Sequence, residues 1–269
     1  MGCDIHLVVE RRNGNGQWER VLPPPEAYDP WLKEQAEKKA GKDSYYSNRV
    51  RYVWYGDRNY NLFAILADVR NDFDFKPIAG PRGLPDDLSA EVVKLTDPSD
   101  DDDSNDVWLG DHSHSCLTVQ ELLDYNWDQE TMEGGWVDPW NFELWRQRGQ
   151  SRPDAWCKGV SGQGIEHISA REMAHKIDEG DIQWEGPEPA KGSWDGRKYS
   201  DSLSRSMKTW GLPKGSVGAA IAEGRHYYCY VEWKMPYRDA AGRFYEQILP
   251  ELRKLGDPKD VRIVFGFDS

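Results

Sequence analysis

Met1-Gly2-Cys3-Asp4-Ile5-His6-Leu7-Val8-Val9-Glu10 opens the chain with a period of two, Cys3, Ile5, Leu7 and Val9 alternating with Asp4, His6 and Glu10. That is the pattern of a strand with one buried face. On the other face a carboxylate and an imidazole stand at i and i+2, about 6–7 Å apart, a separation that one metal ion or one phosphate spans. Asn13-Gly14-Asn15-Gly16 follows, then Gln17-Trp18-Glu19-Arg20-Val21-Leu22, which predicts a β-hairpin with a glycine-containing loop. A one-residue slip would bury Asp4 and His6, so the register is well specified.

The far end has matching order. Tyr228–Met235 reads as a strand, Asp239 as the cap of a helix carrying Phe244, Ile248, Leu252 and Leu255, with Pro250 dividing it and Gly256 ending it, and Val261–Asp268 as a second strand. The expectation is one sheet made from both chain ends. Its apolar face would carry Ile5, Leu7, Val231, Trp233, Ile263 and Phe265, and its other face Asp4, His6, Tyr230, Glu232, Arg262 and Asp268. The fold class that follows is α+β: a single domain over residues 1–269, with a mostly antiparallel sheet, helices on one face, and a Trp-rich irregular insertion over 126–224.

Between the ends, Asp29-Pro30 opens a charged, peripheral helix stopping near Gly41. Asn59–Asn71 predicts the core helix, because Leu62, Ile65, Leu66 and Val69 fall at i, i+3, i+4 and i+7. Asp68 then lies at the edge of the buried stripe, where a carboxylate needs a partner. Thr118-Val119-Gln120-Glu121 is a capping box with Leu117 and Leu122 as its staple. It starts a helix at Val119 and leaves Asp111-His112-Ser113-His114-Ser115 as a loop before an anion-friendly N-terminus. Ser169-Ala170-Arg171-Glu172 repeats the capping logic, and Leu203, Met207 and Trp210 predict another short helix. The acidic run 99–104 reads as a solvated loop.

Among the 269 residues, 47 acidic side chains outnumber 34 basic ones, for a formal charge of −13. Such a surface repels polyanions and argues against non-specific nucleic-acid or membrane-surface binding, while a local pocket can still hold a small anion. The cysteines Cys3, Cys116, Cys157 and Cys229 form no C-x-x-C pair, no charged-then-apolar leader opens the chain, and no apolar run approaches transmembrane length. A reduced cytoplasm is the expected setting. Gly2-Cys3 does not extend to a myristoylation pattern, since His6 stands where Ser or Thr is needed.

Several ordered blocks recur together: Met1-Gly2-Cys3-Asp4-Ile5-His6; Arg58-Asn59-Tyr60 with Leu62–Asn71; His112-Ser113 with Ser115, Leu117 and Thr118; and Val261–Phe265 with Phe267-Asp268. In these the chain resembles a family of proteins encoded by bacteriophages and prophages. The resemblance covers both ends and the first half, implies a phage context in the host bacterial cytoplasm, and transfers no activity or catalytic residue. A second likeness is to metallophosphoesterases, through Asp4-Ile5-His6, Gly56-Asp57 and Gly110-Asp111-His112-Ser113-His114; the chain departs from them in lacking a Gly-Asn-His block.

These readings combine into an expected metal-dependent hydrolase, phosphoesterase-like, acting on a small phosphate-containing or nucleotide ligand. Asp4, His6, Asp68 and His112 would hold a divalent ion (Zn, Mn or Mg), which polarises phosphate and acidifies bound water. His114 would move protons beside Asp111, and Arg58, Arg70, Asn71, Ser113 and Ser115 would hold the phosphate. The alternative is a non-catalytic counter-defence or regulatory protein that binds a nucleotide signal, or a host protein through the Trp-rich region. His167, His175 and His226 carry no motif and read as structural.

Overall fold

The computed structural model describes residues 2–39, 44–96, 108–162, 165–182 and 226–268; the acidic run 99–104 and the expected Leu203–Trp210 helix lie outside them. The chain divides into two compact units, one built from Met1–Thr131 and Met235–Ser269, the other from Met132–Lys234.

The first unit is organised by a four-stranded sheet of β1 (Ile5–Arg12), β2 (Trp18–Val21), β3 (His112–Thr118) and β7 (Val261–Phe267), in the order β2-β1-β7-β3. Every pairing in it is antiparallel. The α+β class and the union of the chain ends are as the period-two patterns require: Ile5 pairs with Phe267, Leu7 with Phe265 and Val9 with Ile263. All six are fully buried. The helix α3 (Tyr60–Ala67) packs here through Phe63, 4.9 Å from the Phe267 ring.

The opposite face differs from expectation. Val8 has the same parity as Asp4, His6 and Glu10, and with Val264 it joins an apolar cluster of Val53, Val92, Leu95 and Leu109. Glu10 is fully buried and neutralised by Arg262 at 2.7 Å, whose other donors reach Asp87. This face is therefore a second packed layer, with polar groups near the surface at its His6 end and at its Arg12 end. Tyr230, Val231, Glu232 and Trp233 belong to neither face. They sit in β6 (His226–Pro236), which pairs with β4 (Glu130–Val137) and β5 (Ile165–Ile168) in a separate three-stranded sheet. Alternation along β6 defines its inner and outer residues but says nothing about which strand it joins.

Three boundaries shift. The helix expected to run to Asn71 ends at Ala67, because Asp68 takes a left-handed conformation (φ 58°) as its C-cap; Asp and Asn tolerate that region best among non-glycine residues. The expected loop 111–115 is largely strand β3, hydrogen-bonded to β7 with an irregularity between His112 and Ser115. The C-terminal helix divides into Tyr237–Ala241, a π-helical turn Phe244–Ile248 and Leu249–Leu252, with Pro236 rather than Asp239 at the cap position. The Thr118 capping box forms as read, with both reciprocal bonds in place and Leu117 and Leu122 buried.

In the second unit, β5 runs parallel to β6. Helices α6 (Pro139–Arg148) and α7 (Ala170–Asp178) are N-capped by Asp138 and Ser169. Among the described residues, no helix is long and apolar enough to cross a membrane.

Candidate functional site

Polar groups gather where β1 begins and β7 ends. Asp268, one residue past β7, has the parity of Gly266 and so lies on the His6 side of the sheet. Its carboxylate accepts from the Asp4 backbone N–H and, at 3.1 Å, from His6 Nε2. A carboxylate only accepts, so the His6 proton resides on Nε2. Nδ1 is left a lone-pair acceptor, buried and without a partner. Burial first, and then the Arg49 guanidinium, push the imidazole below its ordinary pKa against the pull of Asp268, so His6 is a neutral base at neutral pH. Burial alone would raise the Asp268 carboxyl; the Asp4 N–H and His6 outweigh it and hold the group below the usual carboxylate range.

The Asp4 carboxylate grips Arg58 with both oxygens, at 2.8 Å to Nε and 3.2 Å to Nη2. This two-point fork fixes the guanidinium plane while the side chain stays 55% exposed. Gly2 lies directly under that guanidinium, where any Cβ would collide with it. An exposed arginine is thus held in one place by the Asp4 carboxylate, over a glycine that leaves room for it.

Cys3 begins the other side of the cluster. Its backbone N–H donates to the Tyr60 hydroxyl at 3.3 Å, and its Sγ stands 3.9 Å from His112 Nε2. Burial raises the thiol pKa, opposed by a hydrogen bond and charge from Arg70. His112 Nε2 also lies 3.3 Å from the Asp268 carbonyl, which only accepts, so Nε2 carries the proton and Nδ1 accepts from the Ser113 hydroxyl at 3.0 Å. Ser113 is in the left-handed region at φ 52°, an uncommon backbone for serine. His6 and His112 therefore reach the same residue, Asp268, one through its carboxylate and the other through its carbonyl. The register places His112 level with Phe267 and His6 level with Gly266, on opposite pleats.

The remaining sequence candidates have local duties. Asp68 is exposed and accepts from Asn71 Nδ2 at 2.7 Å; Asn71 also bridges both the N–H and the carbonyl of Phe75, so the pair closes the turn after α3. Ser115 is fully buried and its hydroxyl accepts from the Arg82 N–H. His114 Nε2 donates to the Gly110 carbonyl at 3.0 Å and packs against Gly266. Asp111 is exposed, with its N–H on the Phe267 carbonyl. The N-terminal end of α5 (Val119–Asp124) presents no open anion cradle, since Glu121 N–H bonds Thr118 and Gln120 N–H bonds the Pro258 carbonyl.

Arg49, Tyr60, Trp108 and Cys3 join the cluster without having been singled out as site residues. Trp108 lies 5.9 Å from the His6 ring and Arg70 5.1 Å from the Tyr60 ring. Cys3 and Tyr60 carried a signal by lying inside the sequence blocks at the chain start and before α3, and Trp108 by flanking the Asp111–Ser115 motif; Arg49 carried none.

For a divalent ion the donors are poorly disposed. Both Asp4 oxygens serve Arg58, His6 Nε2 serves Asp268, and among the described residues no three His, Cys, Asp or Glu side chains converge as ligands would. What the arrangement offers chemically is one exposed guanidinium held in place, that of Arg58, with a neutral histidine nearby. Comparison of the chain with protein-family models, with curated proteins and with solved structures finds no match to any of them.

Proposed function

We propose that this end of the first sheet binds a small phosphate-containing anion, and that the protein is a phage-encoded regulatory or counter-defence protein that captures such a ligand, a nucleotide signal included, in the host cytoplasm. One observation carries the reading. Arg58 is locked by Asp4 above Gly2, so its exposed donors are already oriented for a phosphate and little side-chain entropy remains to be lost on binding. The guanidinium groups of Arg58, Arg49 and Arg70 stand here among the carboxylates of Asp4, Asp57 and Asp268, so this corner is close to charge balance and lacks the excess acidity of the −13 chain as a whole. Calorimetric titration with inorganic phosphate and with a nucleoside monophosphate in metal-free buffer tests it. Binding that is lost in Arg58→Ala, with folding intact, supports the reading; equal binding by parent and variant rejects it.

A second reading, the divalent-metal hydrolase, is favoured by one feature. Metal-bound histidines ordinarily donate their other ring N–H to a carboxylate, as His6 does to Asp268, and leave the remaining nitrogen for the ion. It requires Asp4 to exchange Arg58 for metal. Manganese or zinc that binds stoichiometrically and releases Arg58 would favour the hydrolase over the simple binder.

A further inference from the structure

Ser113 is the extra residue of a bulge in β3. His112 pairs with Phe267 and Ser115 with Phe265, so Ser113 and His114 together stand opposite the single residue Gly266. The His114 ring packs on Gly266, where any Cβ would strike it. His114 therefore takes the place opposite the glycine, and Ser113 is turned out of the ladder with its backbone at φ 52°. Bulges re-aim side chains in this way, and left-handed backbone at serine persists only where the flanking structure holds it.

The re-aimed hydroxyl meets the imidazole of its own neighbour. Ser113 Oγ–H donates to His112 Nδ1 at 3.0 Å, while His112 Nε2–H donates to the Asp268 carbonyl at 3.3 Å. The His112 ring also lies nearly parallel to that of Phe267, with centres 5.9 Å apart. The carbonyl fixes the tautomer and the aromatic contact fixes the ring plane, so the basic nitrogen is turned to the hydroxyl. A nucleophile, a base within hydrogen-bond reach and a group that orients the base are the parts that activate a serine. Ser113 and His112 are both partly exposed.

We propose that Ser113 is the nucleophile and His112 the general base of a site that cleaves uncharged carboxylic esters. Ser113 Oγ bonds to the ester carbonyl carbon as its proton passes to His112 Nδ1. The ester C–O bond then breaks, the leaving alcohol takes that proton, and an acyl-serine remains. Water repeats both steps, releasing the acid and restoring the hydroxyl. The Asp268 carbonyl keeps its bond to Nε2–H throughout and steadies the transient imidazolium. Asp111, exposed and two residues before Ser113, disfavours a phosphate dianion as the electrophile, whereas an uncharged carbonyl meets no repulsion. The chemistry needs no fixed guanidinium and is independent of the anion reading built on Arg58.

The test is reaction of the full chain with p-nitrophenyl acetate in phosphate-free buffer, following p-nitrophenol release and mapping the acetyl group by peptide mass spectrometry. Acetylation of Ser113 is expected. It should be absent in Ser113→Gly, a variant suited to φ 52° and so expected to fold. His112→Gln can still donate to the Asp268 carbonyl but cannot take the proton, and should slow acetylation about a hundredfold or more. No acetylation, acetylation only at other residues, or a rate at Ser113 unchanged in His112→Gln overturns the proposal. Because no phosphate is present, each of these results leaves the anion reading standing.

Discussion

Replacing Asp268 with alanine removes the one side chain that ties the two chain ends together at the candidate site. Two hydrogen bonds to its carboxylate are lost, from the Asp4 N–H and from His6 Nε2. Bonds to a charged acceptor contribute about 1.5–3 kcal/mol each, and leaving the nearly buried His6 N–H without a partner costs about 1–3 kcal/mol. Asp268 itself is 30% exposed, so water recovers part of the first term; a net loss of about 2–3 kcal/mol is expected. Urea unfolding at pH 7.5 measures it. The pH dependence follows from both groups. The Asp268 carboxyl is depressed in the folded state, so its contribution is complete above its unfolded pKa near 3.8 and fades as pH falls through the lower folded value. His6 is likewise depressed, so its contribution is complete above its ordinary 6.5 and fades as pH drops below that toward the folded value. The parent should therefore lose stability on acidification in two windows, and Asp268→Ala should lose the more acidic one. A variant within about 0.5 kcal/mol of the parent, with an unchanged acid profile, refutes the geometry of the dyad.

Three further outcomes are expected. Arg262→Ala leaves Glu10 charged in a fully buried position and should cost about 3–5 kcal/mol by urea unfolding, whereas a double change to apolar residues should recover much of it. Gly266→Ala drives a methyl into the Leu109 carbonyl and the His114 ring, and should reduce stability by more than about 1 kcal/mol in thermal melts, the mark of a position where overpacking meets backbone. Thr118→Ala breaks the capping box and should cost about 1 kcal/mol without altering phosphate binding.

Much of the first sheet was legible because the odd-numbered residues of β1 and β7 form one apolar face, Ile5, Leu7 and Val9 opposite Phe267, Phe265 and Ile263, although both faces of these strands are buried, and because the Thr118 capping box is a local device that needs no tertiary help. Strand β3 was not, since His112-Ser113-His114-Ser115 offers no apolar alternation and becomes a strand only by pairing with a β7 that is buried throughout. The end of α3 was misplaced because Val69 continues the helical stripe while Asp68 bends the backbone away from it. Of the candidate site, Asp4, His6, Arg58 and His112 were found by type and spacing. The partners that define their roles, Asp268 on His6 and Asp4 on Arg58, are long-range pairs for which the sequence carries no spacing rule.

The phosphate site at the sheet end is tested most directly by titrating isotope-labelled protein with inorganic phosphate and following backbone amide and arginine Nε signals in NMR. The account predicts saturable shifts centred on Cys3–His6, Arg58, His112, Ser113 and Asp268, abolished in Arg58→Ala. Shifts confined to other surfaces, or none at all, would contradict it.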